Sequence, residues 1–148
     1  MAQNLRLARL YFVLLAIVTI GRWMLSFRVP YQVGTDKLSI VTLTLFASIF
    51  YGAFCRRWRG YSVLQAMGLA ATLAFVGQLV ILLSTVASYA LGLKTYFNDP
   101  IALNVPSAIP LGAALLTRTG GLVENTIVNS VAGLLGWALG GLLPTDAK

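Results

Sequence analysis

The sequence predicts an all-α membrane protein in which four transmembrane helices form an antiparallel bundle, with one short interfacial or re-entrant helix before the last span. Two observations predict this fold class. Residues 61–93 contain no charged side chain, and as a helix they would be about 50 Å long, whereas the hydrocarbon core of a bilayer is ~30 Å thick. Only 10% of the 148 residues are charged and 58% are hydrophobic, which is typical of membrane proteins. Residues 1–148 are therefore expected to form a single membrane domain.

Four apolar segments are separated by short polar or turn-forming stretches. The first is interpreted as an uncleaved anchor helix and not as a signal peptide, because Trp23 and Met24 follow its apolar run where a signal peptidase requires small residues. The second ends at a cluster of arginines, the third is the long uncharged segment, and the last ends at Pro144. The predicted spans cover residues 5–27, 38–55, 62–92 and 122–143.

Residues 108–118 are predicted to form a separate short helix. Ser107 is a suitable N-cap, and Pro110 falls in the first turn, where proline is tolerated. The pair Gly120-Gly121 is expected to end this helix. A helix of this length cannot cross a bilayer, so we expect it to be interfacial or re-entrant.

The distribution of basic residues predicts the orientation of the chain. Arginines lie near the N-terminus and in the loop between the second and third spans, at positions 6, 9, 56, 57 and 59. Under the positive-inside rule these regions and both termini are cytoplasmic. A short chain with basic flanks of this kind is typical of a bacterial inner membrane.

Small residues recur at helical spacing in the last three spans. Lipid gives helices no hydrophobic reason to associate, so close backbone packing and interhelical hydrogen bonds hold such bundles together. The first span is poor in small residues and is expected at the edge of the bundle. The GxxxG match in the last span does not distinguish self-association from packing within the chain. The predicted packing residues are Ser48, Gly52, Ala70, Ala74, Gly77, Gly133, Gly136 and Gly140.

Polar and ionisable residues within the membrane segments are the candidate ligand or polar-network residues. Arg22 and Glu124 are expected at a similar depth near the outer face, and we predict that they pair or share a polar network, because unpartnered charges are costly in hydrocarbon. Alternatively both are structural: Arg22 reaches the interface and Glu124 complements a helix dipole. The amide side chains of Gln78, Asn125 and Asn129 either line a polar cavity or form hydrogen bonds between helices. The candidates are Arg22, Gln78, Arg118, Glu124, Asn125 and Asn129.

Any ligand site is expected at the outer face, formed by residues 28–37, residues 94–121 and the neighbouring helix ends. Arg118 beside Gly120-Gly121 would suit an anion such as a lipid phosphate. The run from Tyr96 to Pro100 is distinctive, but its chemistry assigns it no role.

Several kinds of chemistry are poorly represented in the chain. Histidine is absent, Cys55 is the only cysteine, and there are four acidic residues, so the sequence predicts no catalytic residue, metal site or cofactor. The net charge of +7 comes from residues that flank apolar segments. We therefore expect the basic residues to meet lipid head groups and not nucleic acid.

Three classes of function remain open. The first, which we favour, is a non-enzymatic subunit or assembly protein that acts through helix contacts, in a homo-oligomer or with a partner membrane subunit. The alternative is an oligomeric transporter of small solutes or ions that uses a polar network at the outer ends of the first and fourth spans. The third is a membrane enzyme that acts on lipid, which the lack of histidine and of closely spaced carboxylates disfavours.

Overall fold

The computed structural model of the protein describes residues 6–31 and 39–143. These residues form four α-helices, and the described ranges contain no β-strand. Each helix is long and apolar enough to cross a membrane. The prediction of an all-α protein with four candidate spans is therefore confirmed. The helices are α1 (Arg9–Ser26), α2 (Ile40–Arg59), α3 (Val63–Ala90) and α4 (Leu111–Gly140).

A tight turn joins α2 to α3. Gly60 ends α2 with φ of 65°, a left-handed conformation that glycine adopts without steric cost. Ser62 and Gln65 then form a capping box: the Gln65 amide oxygen accepts a hydrogen bond from Ser62 N at 2.9 Å, and Ser62 Oγ accepts one from Gln65 N at 3.4 Å. Both helix ends are thus satisfied locally, which fixes this hairpin.

The last span differs from the prediction. The separate short helix over 108–118 and the span over 122–143 are replaced by the single helix α4, which begins after Pro110 and runs through Gly120-Gly121. Ser107 lies outside it and caps nothing. Glycine in a helix interior costs only about 1 kcal/mol relative to alanine, and on either side of this pair Arg118 bonds to α3 and Asn129 bonds to α2. At 30 residues, α4 is about 45 Å long.

Close contacts between small residues hold α2, α3 and α4 together. A Cβ atom built on Gly133 would lie 2.5 Å from the Ala70 Cβ atom, and one on Gly140 would lie 2.5 Å from the Ala53 carbonyl oxygen. Cβ atoms on Gly52 and Gly136 would likewise collide with backbone carbonyl groups of the facing helix. The helix backbones therefore touch at these positions, and Gly136 and Gly140 pack within the chain. The other predicted packing residues, Ser48, Ala70, Ala74 and Gly77, are also buried.

Helix α1 contacts the other helices least, and one buried tyrosine makes its main polar attachment. Tyr11 Oη lies 2.8 Å from Thr44 Oγ1 on α2 and donates to the Leu73 carbonyl oxygen on α3 at 3.0 Å. Gly77 leaves the space for this hydroxyl, since a Cβ atom there would lie 2.8 Å from Tyr11 Oη. Tyr11 thus links three helices.

Candidate functional site

The segment between α3 and α4, residues 91–110, is here called the cap segment, and the end of the bundle that it covers is called the cap end. Side chains within the segment bond to its backbone. Asn98 accepts a hydrogen bond from Thr95 N and donates one to the Leu93 carbonyl oxygen, both at 2.8 Å. Asp99 Oδ1 accepts from Ile101 N at 2.9 Å. The distinctive run that contains Asn98 and Asp99 therefore stabilises local turns.

Hydroxyl groups on α3 attach the cap segment to the bundle. Ser88 Oγ lies 2.6 Å from Thr95 Oγ1, and both residues are buried. Thr85 Oγ1 lies 2.9 Å from the Ile81 carbonyl oxygen and 3.0 Å from that of Phe97. Further along the helix, Tyr89 Oη donates to the Ile109 carbonyl oxygen at 2.6 Å. These bonds hold both ends of the cap segment on α3.

Arg118 on α4 joins the cap segment to the last helix. Its Nη2 donates to the Phe97 carbonyl oxygen at 2.8 Å, its Nη1 to that of Ala102 at 3.1 Å, and its Nε to Thr85 Oγ1 at 3.2 Å. These three acceptors are uncharged, so they satisfy three of the five guanidinium N–H donors without neutralising the positive charge. Arg118 thus acts as a clamp on two carbonyl groups of the cap segment.

Arg22 on α1 lies among aromatic rings at the same end of the bundle. Its side chain is only 8% exposed. The guanidinium carbon lies 5.8 Å from the ring centroid of Tyr31, 5.7 Å from that of Tyr96 and 5.6 Å from that of Phe97. These distances are in the range of cation–π interactions.

Tyr96 is itself fixed within this cluster. Its hydroxyl group donates to the Val29 carbonyl oxygen, which ties the cap segment to the end of α1. Burial raises the pKa of the Tyr96 phenol above its ordinary value. A phenol is neutral near neutral pH even at its ordinary pKa, so Tyr96 is a hydrogen-bond donor there.

A cavity of about 290 Å³ lies between the two arginines. Arg22 and Arg118 both line it, together with Tyr31, Ile81 and Phe97. A second cavity, of about 400 Å³, is lined by Tyr31 and by residues of the cap segment that include Tyr96. Guanidinium groups recognise carboxylate and phosphate groups through paired N–H donors. The arrangement around the first cavity is therefore suited to a small anion.

The three amide residues lie deeper in the bundle. Asn129 is 1% exposed, accepts a hydrogen bond from Ser48 Oγ at 2.9 Å and donates to the Asn125 carbonyl oxygen at 2.8 Å. Asn125 donates to the Gly121 carbonyl oxygen at 2.8 Å. Gln78 is buried on α3. Asn129 therefore links α2 to α4, whereas Asn125 bonds along its own helix.

The structure separates the two residues that the sequence suggested as a pair. Glu124 is exposed on α4, and within the described ranges its carboxyl group forms no ion pair or hydrogen bond with Arg22 or any other residue. The predicted pairing assumed that α4 starts at Leu122, which would place Glu124 in the first turn. Because the helix begins at Leu111 instead, Glu124 lies near its middle, and Arg118 occupies the position facing the Arg22 cavity.

The sequence interpretation missed Thr85 and Phe97, which are buried and central to the cap end. The sequence could have indicated Thr85, since Ser84, Thr85 and Ser88 are polar residues near the end of an otherwise apolar segment. Phe97 lies in the run that the sequence marked as distinctive, but its role could not be predicted because it depends on how the cap segment folds back onto α1 and α3.

Comparisons with known proteins do not identify the chain. No protein family, curated protein or solved structure matches it. In residues 6–31 and 39–143 there is also no group of three or more His, Cys, Asp or Glu side chains that would hold a metal ion. The function must therefore be argued from the helices and the cap end.

Proposed function

We propose that this protein is a non-enzymatic, multi-pass membrane subunit or assembly protein that acts through contacts of its helices. The position of Glu124 carries this proposal. Along α4 it lies about 9 Å from Arg118 and about 20 Å from Trp137, so in a bilayer its carboxyl group would face lipid at hydrocarbon depth. An ionisable group at that depth normally faces a protein partner or a water-filled cavity. A partner helix against α4 would remove Glu124 from lipid.

The other buried polar residues support the same proposal, because their hydrogen bonds connect parts of the bundle to one another. Arg118 clamps the cap segment, Asn129 links α2 to α4, and Tyr11 links α1 to α2 and α3. These side chains bond to backbone or to neighbouring helices and do not converge on one reactive centre.

Extraction of the tagged protein from its native membrane under mild detergent tests the proposal. We expect the chain to elute in a stoichiometric complex larger than one copy, and the Glu124→Leu variant to elute as a smaller species with an unchanged helix content. A wild-type chain that elutes as a single copy, without another protein, contradicts the proposal.

Within this proposal the four helices form an antiparallel bundle. Arg118 near the start of α4 contacts Thr85 near the end of α3, whereas Gly133 near the end of α4 faces Ala70 near the start of α3. In contrast, α2 and α4 run in the same direction, since Ser48 contacts Asn129 and Ala53 lies opposite Gly140. Alternating helix directions account for both sets of contacts.

We further propose that the protein lies in a bacterial inner membrane with both termini in the cytoplasm. Three arginines occupy the last turn of α2. Arg56 among them stacks on Trp137, with its guanidinium carbon 3.8 Å from the ring centroid, and donates to the Trp137 carbonyl oxygen at 3.0 Å. The basic end of α2 and the end of α4 would therefore share the cytoplasmic side under the positive-inside rule.

A second candidate function is transport or binding of a small solute or ion by an oligomer, at the outer ends of α1 and α4. The cavity between Arg22 and Arg118 favours this candidate. Its test is uptake of chloride and inorganic phosphate by proteoliposomes. The candidate predicts a flux that the Arg22→Gln variant loses while its thermal stability is retained. Equal flux in protein-free vesicles eliminates it.

A further inference from the structure

Two adjoining cavities form one groove between α1 and α2. The deeper cavity has a volume of about 290 Å³, and the other, of about 690 Å³, lies towards the end of α2 at Arg59. Leu10, Phe50 and Tyr51 line both cavities, so the two cavities meet at these side chains. Together they are here called the α1–α2 groove.

The deeper part of the groove is apolar and open to the outside of the bundle. Leu10 and Leu14 of α1 line one side, and Leu43, Phe46 and Ala47 of α2 line the other. Leu10, Leu14 and Phe46 are exposed although they are large and hydrophobic. In a membrane this part of the groove would therefore be filled by hydrocarbon.

The other part of the groove is basic and aromatic. Arg6, which precedes α1, and Arg59, in the last turn of α2, line the same cavity as Phe54 and Tyr61. Within residues 6–31 and 39–143, no carboxylate lines this cavity and neither arginine is in an ion pair. The groove thus has two positive charges at one end and an apolar surface along the rest of its length.

The length of the apolar part matches one leaflet of a bilayer. From Leu43 to Phe54, both of which line the groove, α2 advances by about 16 Å. One leaflet contributes about half of the ~30 Å hydrocarbon core. A lipid chain attached to a head group near Arg59 would therefore follow the groove to about the middle of the bilayer.

We propose that the α1–α2 groove binds one anionic phospholipid. Its phosphate group contacts Arg6 and Arg59, because guanidinium groups donate paired N–H bonds to phosphate oxygens. One acyl chain lies along Leu10 and Phe46 in the apolar part. Basic pockets between membrane helices recognise head groups of this kind. The inference goes beyond the proposed function, since a single copy and a complex would both carry the lipid.

The lipid would add contacts where the bundle has few. Helix α1 contacts the other helices least, and a molecule in the groove touches both α1 and α2. A ligand that binds only the folded state stabilises it by mass action. We therefore expect phosphatidylglycerol to raise the melting temperature of the protein in detergent.

Native mass spectrometry of the purified protein, titrated with lipid in detergent, tests the occupant. Dioleoyl phosphatidylglycerol and dioleoyl phosphatidylcholine have the same chains but differ in net charge. We expect one phosphatidylglycerol per chain, bound at least about fivefold more tightly than phosphatidylcholine, since each arginine contributes about that factor. Glycerophosphoglycerol, which has the head group without chains, should not displace it at equal concentration. Equal affinity for both lipids, or displacement by glycerophosphoglycerol, overturns the inference.

Arginine variants test where the head group binds. Arg6→Gln and Arg59→Gln should each lower the affinity for phosphatidylglycerol by about fivefold and leave that for phosphatidylcholine unchanged. The matched control is Arg9→Gln, because Arg9 is also exposed at the start of α1 but does not line the groove. We expect wild-type affinity for this control. If Arg9→Gln weakens binding as much as Arg6→Gln, net charge explains the binding and the site is wrong.

Alanine variants test where the chain lies. Ala47→Leu fills the apolar part of the groove and should weaken binding of both lipids, while circular dichroism shows wild-type helix content. Ala16→Leu makes the same change at an exposed position of α1 that does not line the groove, so it should bind both lipids like the wild type. Unchanged binding in Ala47→Leu, or equal losses in the two variants, shows that the chain does not occupy the groove.

Discussion

At the scale of single residues, buried polar side chains define how the cap end is built. The sequence indicated that Arg22 and Arg118 mattered, because ionisable residues within apolar segments are costly. It did not indicate their contacts. Arg22 meets the rings of Tyr31, Tyr96 and Phe97, and these contacts depend on the folding of a segment whose turns are set by its own side-chain bonds. The importance of these two arginines could therefore be predicted from the sequence, whereas the residues that they contact could be identified only from the tertiary structure.

We predict that Arg118→Met destabilises the cap end. The substitution removes three hydrogen bonds and leaves the Phe97 and Ala102 carbonyl groups without this donor. Hydrogen bonds to charged groups contribute about 1.5–3 kcal/mol each, so the melting temperature should fall and proteolysis within residues 91–110 should become faster. Limited proteolysis in detergent micelles measures the second effect.

Lys94→Met is the matched control, because it also removes a positive charge at the cap end. Lys94 is exposed, and its side chain has no such hydrogen bonds within the described ranges. We expect wild-type proteolysis rates for this control. Equal protection of the cap segment in Arg118→Met and the wild type would show that Arg118 is not a clamp.

At the scale of helices, the sequence predicted four long apolar helices, but the separate short helix before the last one is not present in the structure. Long apolar runs determine the number and approximate bounds of the spans, since backbone polar groups in hydrocarbon must bond within a helix. Local preference suggested a break at Gly120-Gly121. Contacts distant in sequence, such as Arg118 with Thr85, outweigh that preference. No local sequence pattern reveals such a contact, and the break predicted within α4 was therefore wrong.

Two glycines of α4 should respond in opposite ways to alanine. A Cβ atom on Gly136 would collide with the Ile49 carbonyl group, so Gly136→Ala should destabilise the bundle by about 1–3 kcal/mol, as overpacking does. Gly120→Ala adds a Cβ atom in open space and should be neutral or stabilising by up to about 1 kcal/mol, because alanine favours helix. Unfolding by sodium dodecyl sulfate, started from monomeric protein in detergent, measures both.

This pair of variants also tests the continuity of α4. If Gly120 were in a helix break with a special backbone conformation, alanine would be destabilising there too. A loss of stability in Gly120→Ala that equals the loss in Gly136→Ala would therefore argue against one continuous helix.

At the scale of the whole molecule, the proposed orientation places the cap end and the arginine end of α2 on opposite sides of a membrane. Lys94 and Arg59 are exposed at these two ends. We expect a membrane-impermeant maleimide to label Lys94→Cys in intact cells and Arg59→Cys only after the membrane is permeabilised. Cys55 is fully buried, so the wild type should remain unlabelled in both conditions. Labelling of both variants in intact cells, or the reverse order, would refute the proposed orientation.

The proposed function is that this chain acts through contacts of its helices with other helices in the membrane. The most direct measurement is native mass spectrometry of the protein extracted with its surrounding lipid in polymer nanodiscs, without detergent. We expect each particle to contain at least one further membrane chain, either another copy or a different membrane protein. Particles that contain one copy together with lipid and no other protein would contradict it.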